Sequence, residues 1–190
     1  MERKNVEIAI LRHGMPKLIP ENTIPASSFI DWINSYNASK LSDTSLPTKS
    51  ALSYAYDCKV IVSSSLQRSI DSAKALNAEK LVLSHKQFIE AGLPSANWQL
   101  LKVSPNTWAV IFRILWLFGY SNNSESIKEA KQRVSLAADK LIHLAKEHQK
   151  VLFVGHGIFN RLLVKELKNR GWSGPKNPGS TYWSFKIYAH

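Results

Sequence analysis

The chain has 190 residues, 44% hydrophobic and 21% charged, with 25 Lys and Arg against 14 Asp and Glu for a net charge of +11. That is the composition of an ordinary globular protein, long enough for one domain, residues 1–190, with a substantial core. Its single cysteine, Cys58, excludes an internal disulfide and reads as a small buried hydrophobe, so a reducing compartment, the cytoplasm, is the expected location.

Taken in chain order, Met1 to Asn5 show no secretory signal and lead straight into a predicted strand at 6–11. Residues 15–50, rich in Pro, Ser, Asn and Thr, are expected to wrap the edge of the domain that carries the site, with a helix predicted over 25–36. A second strand is predicted at 59–62 and a helix over 64–77, where Leu66, Ile70, Ala73 and Leu76 recur at helical spacing and serines offer N-caps. A third strand is predicted at 81–84. Residues 95–123 hold Trp98, Trp108, Phe112, Trp116, Phe118 and Tyr120. They read as an amphipathic helix packed on the core, with a lid or a homodimer face as the alternative. The stretch from Trp108 to Tyr120 is shorter than the ~20 apolar residues of a membrane span, and Arg113 interrupts it. A long helix is predicted over 124–148, a fourth strand at 151–154, a helix over 157–169 and a last strand at 182–187.

This alternation predicts an α/β fold: a three-layer sandwich with a largely parallel central sheet and helices on both faces. Residues 128–176 hold eleven Lys and Arg against four Asp and Glu, a field that suits anionic partners. The lysines are spread singly, as at Lys140, Lys146 and Lys150, without the basic–aromatic interleaving of a nucleic-acid platform, so nucleic acid is not an expected partner.

Two predicted strands end in a histidine: Leu11-Arg12-His13-Gly14 and Gly155-His156-Gly157. In open α/β sheets the carboxyl ends of strands are where ligands bind. The second strand runs into Ser63-Ser64-Ser65-Leu66-Gln67-Arg68, a helix start with a guanidinium in its first turns, which suits an anion. After the third strand comes Glu90, in Phe88-Ile89-Glu90-Ala91-Gly92-Leu93-Pro94, either a cap or ion-pair partner or a general acid. The nucleophile-elbow, phosphate-binding-loop and His-Glu-x-x-His motifs are absent. His143 and His148 read as surface residues.

The ordered set Leu11-Arg12-His13-Gly14, Ser63 to Arg68, Glu90 and Gly155-His156-Gly157 resembles the histidine phosphatase superfamily, the phosphoglycerate-mutase-like group. The resemblance implies that His13 takes up a phosphoryl group as phosphohistidine. It implies that Arg12, Arg68 and His156 bind the phosphoryl oxygens, and that Glu90 protonates the leaving oxygen and then activates water. No metal or cofactor is implied. The expected function is hydrolysis of a phosphomonoester, on a small molecule or a phosphoprotein. The alternatives are a phosphoglycerate-type mutase, for which the chain lacks room for the usual insertion, and a non-catalytic phosphate-binding or protein-interaction module. The chain departs from the family at Met15-Pro16, where many members carry an acidic or hydroxyl residue, and at Ser72, where threonine is common. The tail from Asn177 to Thr181 is a candidate for a backbone or hydroxyl contact.

Overall fold

The computed structural model describes residues 6–17, 22–77 and 79–190. Strands β1 (Glu7–Arg12), β3 (Val60–Ser64), β4 (Leu81–His85), β6 (Lys150–Gly155) and β7 (Phe185–Ala189) form one five-stranded sheet in the order β4-β3-β6-β1-β7. Its first four strands are parallel, and β7 closes the edge antiparallel to β1. A second, two-stranded sheet pairs β2 (Ile24–Pro25) with β5 (Lys102–Val103).

The apolar runs of β1, β3 and β6 are uninterrupted because both faces of these inner strands are covered. Ile8, Ile10, Val60, Val62, Val151 and Phe153 point to one side, against helices α5 (Ile127–His148) and α6 (Gly157–Asn169). The intervening Ala9, Leu11, Ile61, Leu152 and Val154 point to the other, against α2 (Lys49–Asp57) and α3 (Gln67–Leu76). The three-layer α/β sandwich expected from the sequence is therefore what forms.

Several boundaries differ from expectation for local reasons. Helix α5 starts at Ile127, not at 124, because Ser126 and Glu129 form a reciprocal capping box. Helix α3 starts at Gln67 with Leu66 as N-cap and no side-chain cap; Ser64 Oγ accepts instead from the Leu66 amide at 3.2 Å, which tightens the strand-to-helix turn. The predicted helix over 25–36 opens with a short 3-10 turn, Ala26–Ser28, before α1 (Phe29–Ala38). The last strand begins at Phe185, since Tyr182 and Trp183 belong to a turn in which Trp183 has φ +61°. Burial of that indole against Gly14 and Leu41, with its Nε1–H donating to Ser45 Oγ at 2.9 Å, offsets the backbone strain.

Residues 95–123 contain α4 (Pro105–Leu117), capped by Ser104 with Pro105 in its first turn. The helix does not lie on the central core as a whole. Trp108 and Phe112 pack with Phe29, Ala26 and Ala96 in a cluster of their own, and Trp116 joins Ala91 and Ala130 of α5. Val110, Ile114, Leu117 and Phe118 face outward. Among the described residues no helix is long and apolar enough to cross a membrane.

Candidate active site

Because β4, β3, β6 and β1 are neighbours in that order, the segments that follow them meet at one sheet edge. The β1–β6 register sets Arg12 beside Gly155, and the His13 amide continues it by donating to Gly155 O at 3.0 Å. The His13 and His156 rings come within 4.9 Å, centroid to centroid, edge to face.

His13 is buried, and its neighbours determine its tautomer. Gly14 O can only accept, so the Nδ1 that lies 2.7 Å away carries the proton. Nε2 is left with a lone pair and accepts from Arg68 Nε at 3.2 Å. Burial first, then the Arg68 and Arg12 charges, push the imidazole pKa down to about 3 against the opposing Gly14 hydrogen bond. His13 is therefore neutral across ordinary pH, and its Nε2 lone pair, which accepts from Arg68 here, is the one that can act as nucleophile. Gly14 itself is held by Ser72, whose Oγ accepts from the Gly14 amide at 2.9 Å and donates to Arg68 O at 2.6 Å. The hydroxyl at this position thus couples the nucleophile's turn to the helix carrying Arg68.

Among the described residues Arg68 is the most deeply buried cation, at 2% exposure. Its partners are His13, the Asn37 Oδ1 and Tyr36 O acceptors at 3.3 Å, and His156 Nδ1 at 3.5 Å. It forms no salt bridge among the described residues. Since Arg68 donates to Nδ1 of His156, the other ring nitrogen donates to Ser69 Oγ at 3.3 Å. Full burial, then His13, Arg68, Arg12 and Arg133, hold His156 well below the usual histidine range. Arg12 donates to the carbonyl of Ser180, in the tail from Asn177 to Thr181.

Each guanidinium also lies over a tyrosine, Arg12 over Tyr182 at 4.6 Å and Arg68 over Tyr36 at 4.7 Å. Burial, then the neighbouring Tyr182 phenol, push the Tyr36 pKa up to about 12. Tyr36, Asn37, Ser69 and Tyr182 were not legible as site residues. They carry no motif: the 15–50 segment was expected at the site edge, but which of its residues, and which of the C-terminal turn, lie over the arginines comes only from the fold.

Glu90 follows β4 after a 3-10 turn, Lys86–Phe88, and reaches across to α6. Its Oε1 accepts from the Ala91 and Phe159 amides at 2.9 and 2.8 Å, and Oε2 from the Ile158 amide at 3.1 Å. The carboxylate thus sits on the N-terminus of the helix that follows His156. Its loop is braced from two sides. Arg133 donates to Gln87 O and Ile89 O at 2.8 and 2.9 Å and pairs with Glu125, which accepts from the Gly92 amide. Arg113 of α4 donates to Ala91 O at 2.7 Å and Gly92 O at 3.2 Å.

A cavity of about 490 Å³ opens onto Arg12, Arg68 and Glu90, lined by Met15, Pro16, Trp32, Ile33 and Tyr36 from one side and by Leu93, Ala109 and Arg113 from another. Three of the five sequence-selected residues, Arg12, Arg68 and Glu90, line this space, while His13 and His156 are buried behind it against Arg68. Among the described residues no cluster of three His, Cys, Asp or Glu side chains is placed to hold a metal ion. Cys58 is buried, and His143 pairs with Glu147 on the surface.

The fold resembles solved structures throughout its length. A mycobacterial glucosyl-3-phosphoglycerate phosphatase complexed with VO3 superposes with a TM-score of 0.61 at 20% identity, covering 95% of this chain and 91% of that one. A second solved structure, mycobacterial hydrolase 1, gives 0.63 at 18% identity, covering 97% and 91%. A phosphoserine phosphatase from Entamoeba histolytica in complex with 3-phosphoglyceric acid gives 0.55 at 16% identity, covering 86% and 80%. No curated protein matches the chain in sequence. The family profile of the histidine phosphatase superfamily (branch 1) matches residues 49–188, a span that contains Arg68, Glu90 and His156, while β1 pairing brings Arg12 and His13 to them. The chain belongs to the histidine phosphatase superfamily.

Proposed function

We propose that the protein is a metal-independent phosphatase that hydrolyses a phosphomonoester through a phosphohistidine on His13, with Glu90 as general acid and base. Arg12, Arg68 and His156 serve as ligands of the phosphoryl oxygens. One observation carries the reading: the Nε2 lone pair of a neutral, buried histidine faces a buried guanidinium that has no carboxylate partner among the described residues. A buried cation of this kind is stabilised by an anion, and phosphoryl transfer rests on positioning and charge stabilisation. Family membership and a fold shared with phosphatases support the same reading.

In the first half-reaction Nε2 of His13 bonds to phosphorus while the ester P–O bond breaks. The leaving oxygen takes a proton from Glu90. Its Oε2, which accepts one backbone hydrogen bond and faces Arg12 across Gly157, is the oxygen turned toward the arginines. In the second half-reaction water attacks phosphorus, the N–P bond breaks, and the water's proton passes to Glu90. His13 recovers its lone pair.

The test is release of inorganic phosphate from p-nitrophenyl phosphate. Turnover is expected to be inhibited by vanadate, to survive chelation of metals, and to fall at least about 1000-fold in His13→Ala with the fold retained. Full turnover by His13→Ala would overturn the mechanism. Incubation with a phosphoglycerate separates the alternative: isomer without free phosphate would indicate a mutase.

A further inference from the structure

We infer that the group esterified to the phosphate is an apolar alcohol, aryl or alkyl, and not a sugar, a nucleoside or a sugar acid. The inference rests on the phosphatase reading of the site and concerns the cavity beyond the arginines. There the walls are the half-buried side chains of Met15, Trp32, Ile33, Leu66, Leu93 and Ala109. The space, about 490 Å³, accepts a group well beyond the phosphate itself.

A polyhydroxylated group needs two things from a pocket: donors and acceptors aimed inward, or a free aromatic face. Most polar groups inside this one are engaged with the protein. Beyond the phosphate ligands, the Trp32 Nε1–H is an enclosed donor without a hydrogen-bond partner among the described residues, one donor against the several hydroxyls of a sugar. Asn37 Oδ1 accepts from both terminal nitrogens of Arg68. Arg113 is committed to the Ala91 and Gly92 carbonyls, with its guanidinium over Trp116. Lys17 and Asn106 are exposed and stand at the rim.

The aromatic faces are engaged as well. Phe29, Trp32 and Tyr36 stack in sequence along α1, at 6.1 and 5.2 Å, and Arg68 lies over the Tyr36 ring. Tyr182 carries Arg12 and borders His13 at 5.8 Å. Sugar hydroxyls brought against these walls would lose most of their water without replacement. An apolar alcohol gains by the same burial.

The test uses the whole protein and two esters of primary alcohols, cyclohexylmethyl phosphate and glucose 6-phosphate, with inorganic phosphate as readout. The sugar alcohol is the somewhat better leaving group, so chemistry alone favours the sugar ester. The expected result is a kcat/KM about 10–100-fold higher for the cyclohexylmethyl ester, with Ile33→Asn reducing that ratio toward one. A ratio of one or below in the wild type overturns the inference. The phosphatase reading stands in that event if p-nitrophenyl phosphate is still cleaved in a His13-dependent manner. If no ester is cleaved, the phosphatase reading fails. Calorimetric binding of cyclohexylmethylphosphonate against the phosphonate analogue of glucose 6-phosphate then decides the pocket's preference: tighter binding of the apolar analogue supports the inference, and equal or weaker binding overturns it.

Discussion

Gly155 and Gly157 bracket His156 and answer to different constraints. A Cβ at Gly155 would collide with Asn160 Oδ1 and with the Phe153 ring, both fully enclosed, so Gly155 is there to let the core close. A Cβ at Gly157 would make only ordinary contacts, 3.7 Å from Glu90 Oε2 and 3.8 Å from Arg12 Cζ. It would stand between the proposed acid and a proposed phosphate ligand. Gly155→Ala is therefore expected to lower stability by about 1–3 kcal/mol. Gly157→Ala, in the first turn of α6, is expected to keep or raise the melting temperature while kcat/KM falls by about 100-fold. Thermal denaturation and steady-state kinetics on the two variants check this; an active Gly157→Ala enzyme would remove the leaving-group oxygen from that gap. The tripeptide was legible as a motif. Which glycine serves packing and which serves the site was not, because the colliding atoms come from Phe153, Asn160, Arg12 and Glu90.

At the level of elements, the question is what holds Glu90 still. Its loop lies between β4 and α4, and the bonds that brace it come from Arg133 on α5, Glu125 before it, and Arg113 on α4. Arg133 also sits over the Phe159 ring, whose amide donates to the Glu90 carboxylate. Arg133→Met keeps much of the packing and removes the donors to Gln87 O and Ile89 O. Its expected effect is a loss of about 10-fold in kcat with KM little changed, since the phosphate ligands ride on other elements. The loss should be larger for alkyl esters, whose leaving oxygen needs a proton, than for p-nitrophenyl phosphate, whose does not. An equal loss for both would mean that Arg133 acts on something other than the proton donor. The helices themselves were legible from their apolar spacing. Their starts were less so: the choice of Ser126 over Ser124 as the cap of α5 follows from Glu129 reaching back to it, and Leu66 caps α3 because Ser64 bonds its amide from the strand side.

For the whole molecule, two histidines are buried neutral, and this ties stability to pH. His13 is held near a pKa of about 3 in the folded chain against 6.5 as its ordinary value, and His156 is shifted in the same direction. Below pH 6.5 the unfolded chain takes up protons that the folded one refuses. The contribution of His13 is thus complete above that pH and is lost as pH falls toward 3, by at most about 1.4 kcal/mol per pH unit, and His156 acts in the same direction. Melting temperatures at pH 7 and pH 5 should differ less in His13→Gln than in the wild type; equal differences would mean that His13 is not buried neutral. By itself the sequence determined the alternating strands and helices, the apolar runs covered on both faces, and the placement of Arg12, His13, Arg68 and His156 at strand ends or just beyond them. These follow from local periodicity and from the rule that strands deliver their ends to a common edge. Only the tertiary structure decided that Glu90 docks on the N-terminus of α6, that Tyr36 and Tyr182 underlie the two arginines, and that α4 packs on α1 and lends Arg113 and Ala109 to the cavity. Those contacts join residues far apart along the chain, and their energies come from burial and hydrogen bonding between elements, which no local pattern encodes.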